Sequence, residues 1–270
     1  MSSRVPDSRV RCWFGPGGLG LTLALGLLLP AAAHGQPARE IHEQYQAWWS
    51  VNSFIRMTDR FGAVADVHVR RTDFLAEPSF YFVRFGPNWW VSDKLTLTLG
   101  YAHMWRAPTC DGCVTWTNED RVYQQLQYVT RLGKATVLHR LRNEERWTEN
   151  VVRDVAIGGS TFSNRVRYLF NLSVPVATNP KVPALNVADE LAVQFGPAVV
   201  YNTFDQNRLF VGVKQRLSPS WSFDLGYMMV YQQKPSGYQY DLNHTLRWFF
   251  YFTPDLRKGR DPKHTAVVDE

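Results

Sequence analysis

Beyond residue 35, this chain of 270 residues lacks an apolar run long enough to form a membrane helix. The longest stretch without Asp, Glu, Lys or Arg is Leu191 to Phe204, 14 residues, against the ~18 or more that mark a spanning helix. Cysteine is also scarce. Of the three, Cys12 falls in the N-terminal leader, which leaves only Cys110 and Cys113. A structural zinc site needs four ligands, and only His103 lies near that pair in sequence, so zinc is not expected there. No cysteine follows the leader directly, which leaves a lipoprotein anchor unsupported. The mean hydropathy of −0.29 is that of a chain whose apolar residues are dispersed rather than run together.

The leader itself is legible. Arg4, Arg9 and Arg11 precede the apolar run Leu19 to Leu29, and Pro30 to Gly35 offers small-residue cleavage positions. That order is a secretory signal over residues 1–35, with the mature chain expected to begin near His34 or Gln36. Its removal takes away three Arg and one Asp and lowers the net charge from +6 to +4. Export places Cys110-Asp-Gly-Cys113 in an oxidising compartment, where a small loop disulfide is the expected outcome.

What the chain has in quantity is aromatic residues, 14% of the total, set in period-two alternation. Eleven segments show it. They are Gln44–Ile55, Phe61–Arg71, Ser79–Val91, Leu95–Ala102, Arg121–Tyr128, Val137–Arg142, Arg165–Ser173, Glu190–Phe195, Arg208–Arg216, Trp221–Met229 and Asp241–Phe252. Each puts apolar residues on one face and polar residues on the other, the mark of a half-buried strand. The connections 57–60, 92–94, 132–135 and 218–220 are short, whereas 72–78, 107–118, 148–161 and 233–238 are longer and polar.

Short turns at one end and long loops at the other suit an antiparallel transmembrane β-barrel over residues 36–252, followed by a polar tail, 253–270. The aromatic pairs Trp48-Trp49 and Trp89-Trp90, with Trp221 and Trp248, suit interfacial girdles. Within strand cores, charges are expected to avoid the apolar face. Since bacterial single-chain barrels have even strand numbers, the expected count is twelve, with ten the alternative. The extra strand is sought in 148–161, 187–205 or 36–43. A soluble periplasmic ligand-binding barrel alternates too and stays as a competing fold.

Twelve bases are expected on the polar faces: Arg70, Arg84, Arg121, Arg140, Arg142, Arg146, Arg165, Arg167, Arg208, Lys214, Arg216 and Arg247. Opposing them are Asp66, Glu144, Glu190, Asp224 and Asp241. The turn at 132–135 fixes one register, pairing Gln127 with Arg140, Gln125 with Arg142, Tyr123 with Glu144 and Arg121 with Arg146. Glu144 is thereby expected beside Arg121 and Arg146 near the extracellular mouth. These charges are either structural ion pairs filling a narrow lumen or an anion-attracting channel.

Several short patterns, in order, extend the reading. They are Trp48-Trp49, Leu99-Gly-Tyr-Ala102, Asn118 to Gln125, Arg140 to Glu144, Arg165-Val-Arg-Tyr168, Asp189-Glu190, Asp205 to Arg208 and Leu225-Gly-Tyr227. In that order they resemble domain-of-unknown-function family 2490 of bacterial outer-membrane proteins, over residues 45–252. The resemblance implies an outer-membrane barrel and brings no activity with it.

A lipid-active barrel hydrolase is the alternative function. It would need a Ser–His pair, and Ser79 lies four residues along the ladder from the partner of His103, about 13 Å at ~3.4 Å per residue. Ser163 has Thr161 where a His would be needed. No catalytic residue, cofactor or nucleic-acid partner is therefore expected. The expected partners are outer-membrane lipid and a small anionic solute.

Overall fold

The computed structural model describes residues 38–179 and 181–257. The leader and its cleavage positions lie outside the described residues, as does the tail past residue 257. Eleven strands form: β1 (Glu40–Arg56), β2 (Phe61–Thr72), β3 (Glu77–Trp90), β4 (Leu95–Arg106), β5 (Thr117–Leu132), β6 (Ala135–Val152), β7 (Val155–Val174), β8 (Ala184–Phe195), β9 (Phe204–Arg216), β10 (Trp221–Gln233) and β11 (Gln239–Phe252). They close into one barrel in sequence order. Each alternating segment of the sequence corresponds to one strand.

The count of twelve, or ten, is therefore corrected to eleven. An up-and-down chain with an odd number of strands brings its first and last strands together pointing the same way. Here β1 pairs with β11 in parallel, from Glu40 opposite Gln239 to Ser53 opposite Phe252. The Gln46 amide donates to Asn243 across this seam at 2.9 Å. Beyond β11 the chain stays beside β1, since Arg56 N donates to Pro254 O and Leu256 N donates to Arg56 O.

Among the described residues, the three regions expected to hide a strand hold no additional one. Residues 40–43 begin β1, 196–203 connect β8 to β9, and 148–161 lengthen β6 and β7. Arg153 and Asp154 turn that hairpin with φ of 50° and 62°, the left-handed pair that a two-residue type I′ turn requires. The loop-length asymmetry is weaker than expected. This two-residue turn lies at the end with the longer loops, and the 175–183 connection lies at the other.

Alternation sends Ile41, Tyr45, Phe85, Leu99, Tyr168, Leu191 and Trp248 to the exposed outer surface. Asp66, Arg84, Gln125, Arg142, Glu144 and Thr245 are buried inside. The polarity of a soluble barrel is thus inverted. Two features depart from the sequence reading. Trp48 and Trp90 face inward and are buried, so they are core residues rather than girdle. Asp120, Glu145 and Asp189 lie on the outer face, because each adjoins an inward acid, Glu119, Glu144 or Glu190, and parity turns the neighbour outward. Asp189 accepts from the Asn207 amide at 2.8 Å there.

Apolar side chains also cross the lumen. Phe54, Val64 and Trp90 pack together at the end formed by the 57–60 turn. Trp48, Leu138, Leu169, Phe210 and Met228 form a second cluster. Phe210 lies where Gly212 and Gly226 leave room for it. A Cβ on Gly212 would stand 2.6 Å from the Phe210 ring, closer than any packed carbon.

The parallel seam yields a direct test. Val51 and Phe250 are register partners across it. With Cys110 and Cys113 changed to Ser, Val51→Cys with Phe250→Cys should be joined within one chain by a short bifunctional thiol reagent. An added strand between them would hold the thiols roughly 10 Å apart, given ~4.8 Å between neighbouring strands, and abolish the product.

Candidate functional site

The interior is built from parity. In the β5–β6 hairpin Gln127 faces Arg140, Gln125 faces Arg142, Tyr123 faces Glu144 and Arg121 faces Arg146, as the turn predicts. Some side-chain partners follow the ladder, as Arg142 Nε donates to Gln125 at 2.8 Å, and others do not. Glu144, near the middle of β6, accepts from Arg165 Nε at 2.8 Å and Arg167 Nη1 at 2.7 Å. Arg121 and Arg142 stand farther off, at 3.4 and 3.7 Å. Arg146 turns instead to Glu119, with Nε 2.9 Å from Oε1. The expected Glu144–Arg146 contact is thus replaced, because a second inward carboxylate sits closer to the mouth.

Glu190 is the other hub. It accepts from Arg140 at 2.6 Å and Arg167 Nε at 3.1 Å, with Arg208 at 3.3 Å. Arg247 pairs with Asp224 at 2.7 Å, where the Tyr251 hydroxyl also donates. Lys214 stands over the Tyr251 ring, Arg84 binds Asp66, and Asp241 pairs with Lys234. Arg216 is a correction, since it is exposed at the β9–β10 turn and donates to the Ser218 and Pro219 carbonyls.

Two buried acids escaped the sequence reading. Glu119 is fully buried and binds Arg106, Arg121 and Arg146. Its signal was present, two residues before Arg121 on the same face. Asp205 had no such signal. Ala192 pairs with Gln206 and Val193 with Phe204, which makes Asp205 the extra residue of a bulge. Bulges break alternation, so Asp205 and Gln206 both face inward, and Asp205 meets Arg165 at 2.9 Å.

Towards the end carrying the 107–116 loop, the lumen opens into a cavity of about 1250 Å³. Its two sides differ in chemistry. Trp48, Arg70, Phe80, Phe82 and Met104, from β1–β4, form one wall, while Arg121, Arg146, Arg165, Arg167 and Arg208, from β5–β9, form the other. Trp48, Phe80 and Phe82 were readable by parity with Ser50 and Arg84, although the alternation drew notice to their outward neighbours.

The candidate hydrolase residues do not converge. Ser79 lies at the start of β3, its carbonyl accepting from Ala107 N, and Val83 is the residue opposite His103. Ser163 faces Arg146, and Thr161 donates to Asn150. On the outer face, His103 Nδ1 is 2.7 Å from Asp120, which also accepts from the Tyr101 hydroxyl.

Residues 45–241 match the model of a family described as a protein of unknown function, DUF2490. The chain belongs to that family. The match ends three residues into β11. No curated protein and no solved structure matches the chain.

In this DUF2490 barrel, Cys110 and Cys113 are joined by a disulfide in the loop that rims the cavity. The β6–β7 turn holds that loop. Asp154 accepts from the backbone of Val114 at 3.0 Å and Thr115 at 2.7 Å, and its own carbonyl accepts from the Thr115 hydroxyl at 2.6 Å. The two backbone N–H donors, Val114 first, hold the Asp154 carboxyl below its usual range. A lowered carboxyl pKa means that the clasp is complete above the ordinary carboxylate range of about 4 and is lost as pH falls through the lowered value. Protection of the Val114 and Thr115 amides, taken relative to the intrinsic exchange rate at each pH, should therefore be present at neutral pH and lost on strong acidification. Asp154→Ala should remove that protection at every pH.

The hub gives a second expectation. Removing one partner of a buried charge network typically costs about 3–5 kcal/mol, because the remaining charges stay uncompensated. Glu144→Ala, which leaves Arg165 and Arg167 short of an acceptor, should lower barrel stability by that order in denaturant titration. Arg216→Ala, at the exposed turn, should fall within about 0.5 kcal/mol of wild type.

Proposed function

We propose that this DUF2490 chain is an outer-membrane barrel whose basic vestibule, open at the end bearing the 107–116 loop, takes up a small anionic solute without forming a wide pore. The membrane part of this reading is supported by the inverted polarity. A lipid-facing Arg or Lys at mid-bilayer costs about 2–4 kcal/mol, and the buried arginines of this barrel all point inward. Trp89, Trp221 and Trp248 remain on the outer surface near the 57–60 and 217–220 turns, where a lower girdle belongs. Asp120, Glu145 and Asp189 are among the charges that interrupt the apolar surface.

The single observation that carries the solute reading is the charge lining the cavity. Arg70, Arg106, Arg121, Arg146, Arg165, Arg167, Arg208 and Lys234 line the cavity with Glu77, Asp111, Asp205 and Asp241, and Glu119, Glu144 and Glu190 bind several of these arginines from beyond the lining. A surplus of guanidinium in a low-dielectric cleft concentrates anions. Below the cavity the hubs at Glu144 and Glu190 and the ring of Phe210 occupy the lumen, which is why a wide pore is not proposed. The outward His103–Asp120 pair is the one feature that favours lipid hydrolysis as a second reading, and its contacts include no serine among the described residues.

The test has two parts. The exported chain should fractionate with the outer membrane and migrate differently in SDS before and after boiling. In planar bilayers it should give no large conductance steps, and any residual current should prefer anions. Recovery in the soluble periplasm, or a large cation-selective conductance, would overturn the proposal.

A further inference from the structure

One buried cation stands apart from the lattice. Arg84, Arg121, Arg140, Arg142, Arg146, Arg165, Arg167 and Arg247 are buried and each has a carboxylate within 4 Å. The Arg70 side chain, only 6% exposed, has neither an ion pair nor a hydrogen bond among the described residues, and its Nε is buried without an acceptor. It is held by rings instead. Register places Trp48 on one side of it and Phe80 on the other. Its guanidinium lies 3.4 Å over the Trp48 ring centre and 4.3 Å from that of Phe80.

Stacking of this kind fixes the plane of a guanidinium but uses its face, leaving the N–H edges for an acceptor. Arg70 borders the large cavity and also a small void of about 70 Å³. From these observations we infer that Arg70 and the aromatic wall around it form a binding site for a small organic carboxylate. The carboxylate meets the guanidinium edge, and an apolar ring or short chain lies along Phe80. The inference rests on the reading of the cavity as open to solutes.

The chemistry selects this class over others. A planar fork matches a carboxylate with two parallel hydrogen bonds. One uncommitted guanidinium on an apolar wall supplies a single charge, which suits a monoanion with an apolar body better than a dianionic phosphate. The arginines that could surround a dianion lie opposite and are already engaged by Glu119, Glu144, Glu190 and Asp205.

Benzoate and benzamide, equal in shape and different in charge, form the test. They would be titrated calorimetrically into the mature chain refolded in neutral-detergent micelles, with the gel shift on boiling used to check each variant's fold. Wild type should bind benzoate at least tenfold more tightly than benzamide. Arg70→Gln should reduce benzoate to the benzamide level while leaving benzamide unchanged, an outcome that general damage to the barrel would not give. Phe80→Ala should weaken both alike. If Arg70→Gln fails to fold, Arg70→Lys, which keeps the charge but loses the fork, should still narrow the benzoate preference severalfold.

A benzoate preference that survives Arg70→Gln, or inorganic phosphate displacing benzoate at equal concentration, would overturn this site and leave the wider anion reading intact. Equal binding of benzoate and benzamide to wild type would also overturn it. If neither phosphate nor benzoate bound wild type at all, the vestibule reading would fall with it.

Discussion

The β5–β9 half of this barrel's interior depends on how arginines are shared between two glutamates. Glu144 and Glu190 lie on different strands, and Arg167 reaches both, at 2.7 Å to Glu144 and 3.1 Å to Glu190. Arg165 extends the chain to Asp205, and Arg121 extends it to Glu119. A buried carboxylate or guanidinium without a partner is strongly unfavourable, so each of these groups fixes the rotamer of the next. The result spans β5 to β9 and ties their registers together. A slip of one residue in any of these strands would turn its charges outward and strand those left behind.

The other half of the lumen is organised differently. From β1 to β4 the inward positions include Trp48, Phe54, Val64, Phe82, Trp90 and Met104. These fill space by packing, and rings as well as carboxylates meet their cations. Arg70 lies over Trp48, while Arg84 approaches the Tyr123 ring as well as Asp66. Gly100 makes the second contact possible, because its missing side chain leaves room for the Tyr123 ring. The two halves meet along the cavity, and this gives the vestibule one ionic and one aromatic side. Its asymmetry is a consequence of which strands supply Glu and which supply Phe and Trp.

Much of this was legible in the sequence, and the exceptions have physical causes. Period two located all eleven strands and gave the inward face of Arg84, Arg142, Glu144, Arg165 and Arg247. It also fixed the β5–β6 register from one short turn. The strand count failed because a general rule about even numbers outweighed the eleven segments seen. Residues 148–161 carry a loop's signature because their polar and glycine-rich sequence lacks a buried face. They form a two-stranded extension with solvent on both sides, where alternation has nothing to select. Asp205 was hidden by its bulge. Side-chain partnering follows the ladder for Arg84–Asp66, Arg142–Gln125 and Arg165–Glu144 and is hidden where an arginine bypasses its ladder neighbour, as Arg146 does in reaching Glu119.

The odd strand number is the remaining point of physics. Parallel pairing is slightly less stable per residue than antiparallel pairing, and β1 and β11 come from opposite ends of the chain, so their closure carries a large loop entropy. The seam compensates through length and side-chain contact. It runs from Glu40 to Ser53 on β1, carries the Gln46–Asn243 hydrogen bond and the stack of Tyr45 on His244, and continues through the Arg56–Asp255 bridge. Contacts so distant in sequence form late in folding, after the local β5–β6 and β6–β7 hairpins have brought their arginines and glutamates together. The Trp48–Arg70–Phe80 stack is equally local, on the β1–β2 and β2–β3 hairpins. What waits for closure is the cluster that Trp48 shares with Phe210 and Met228 from the far end of the chain.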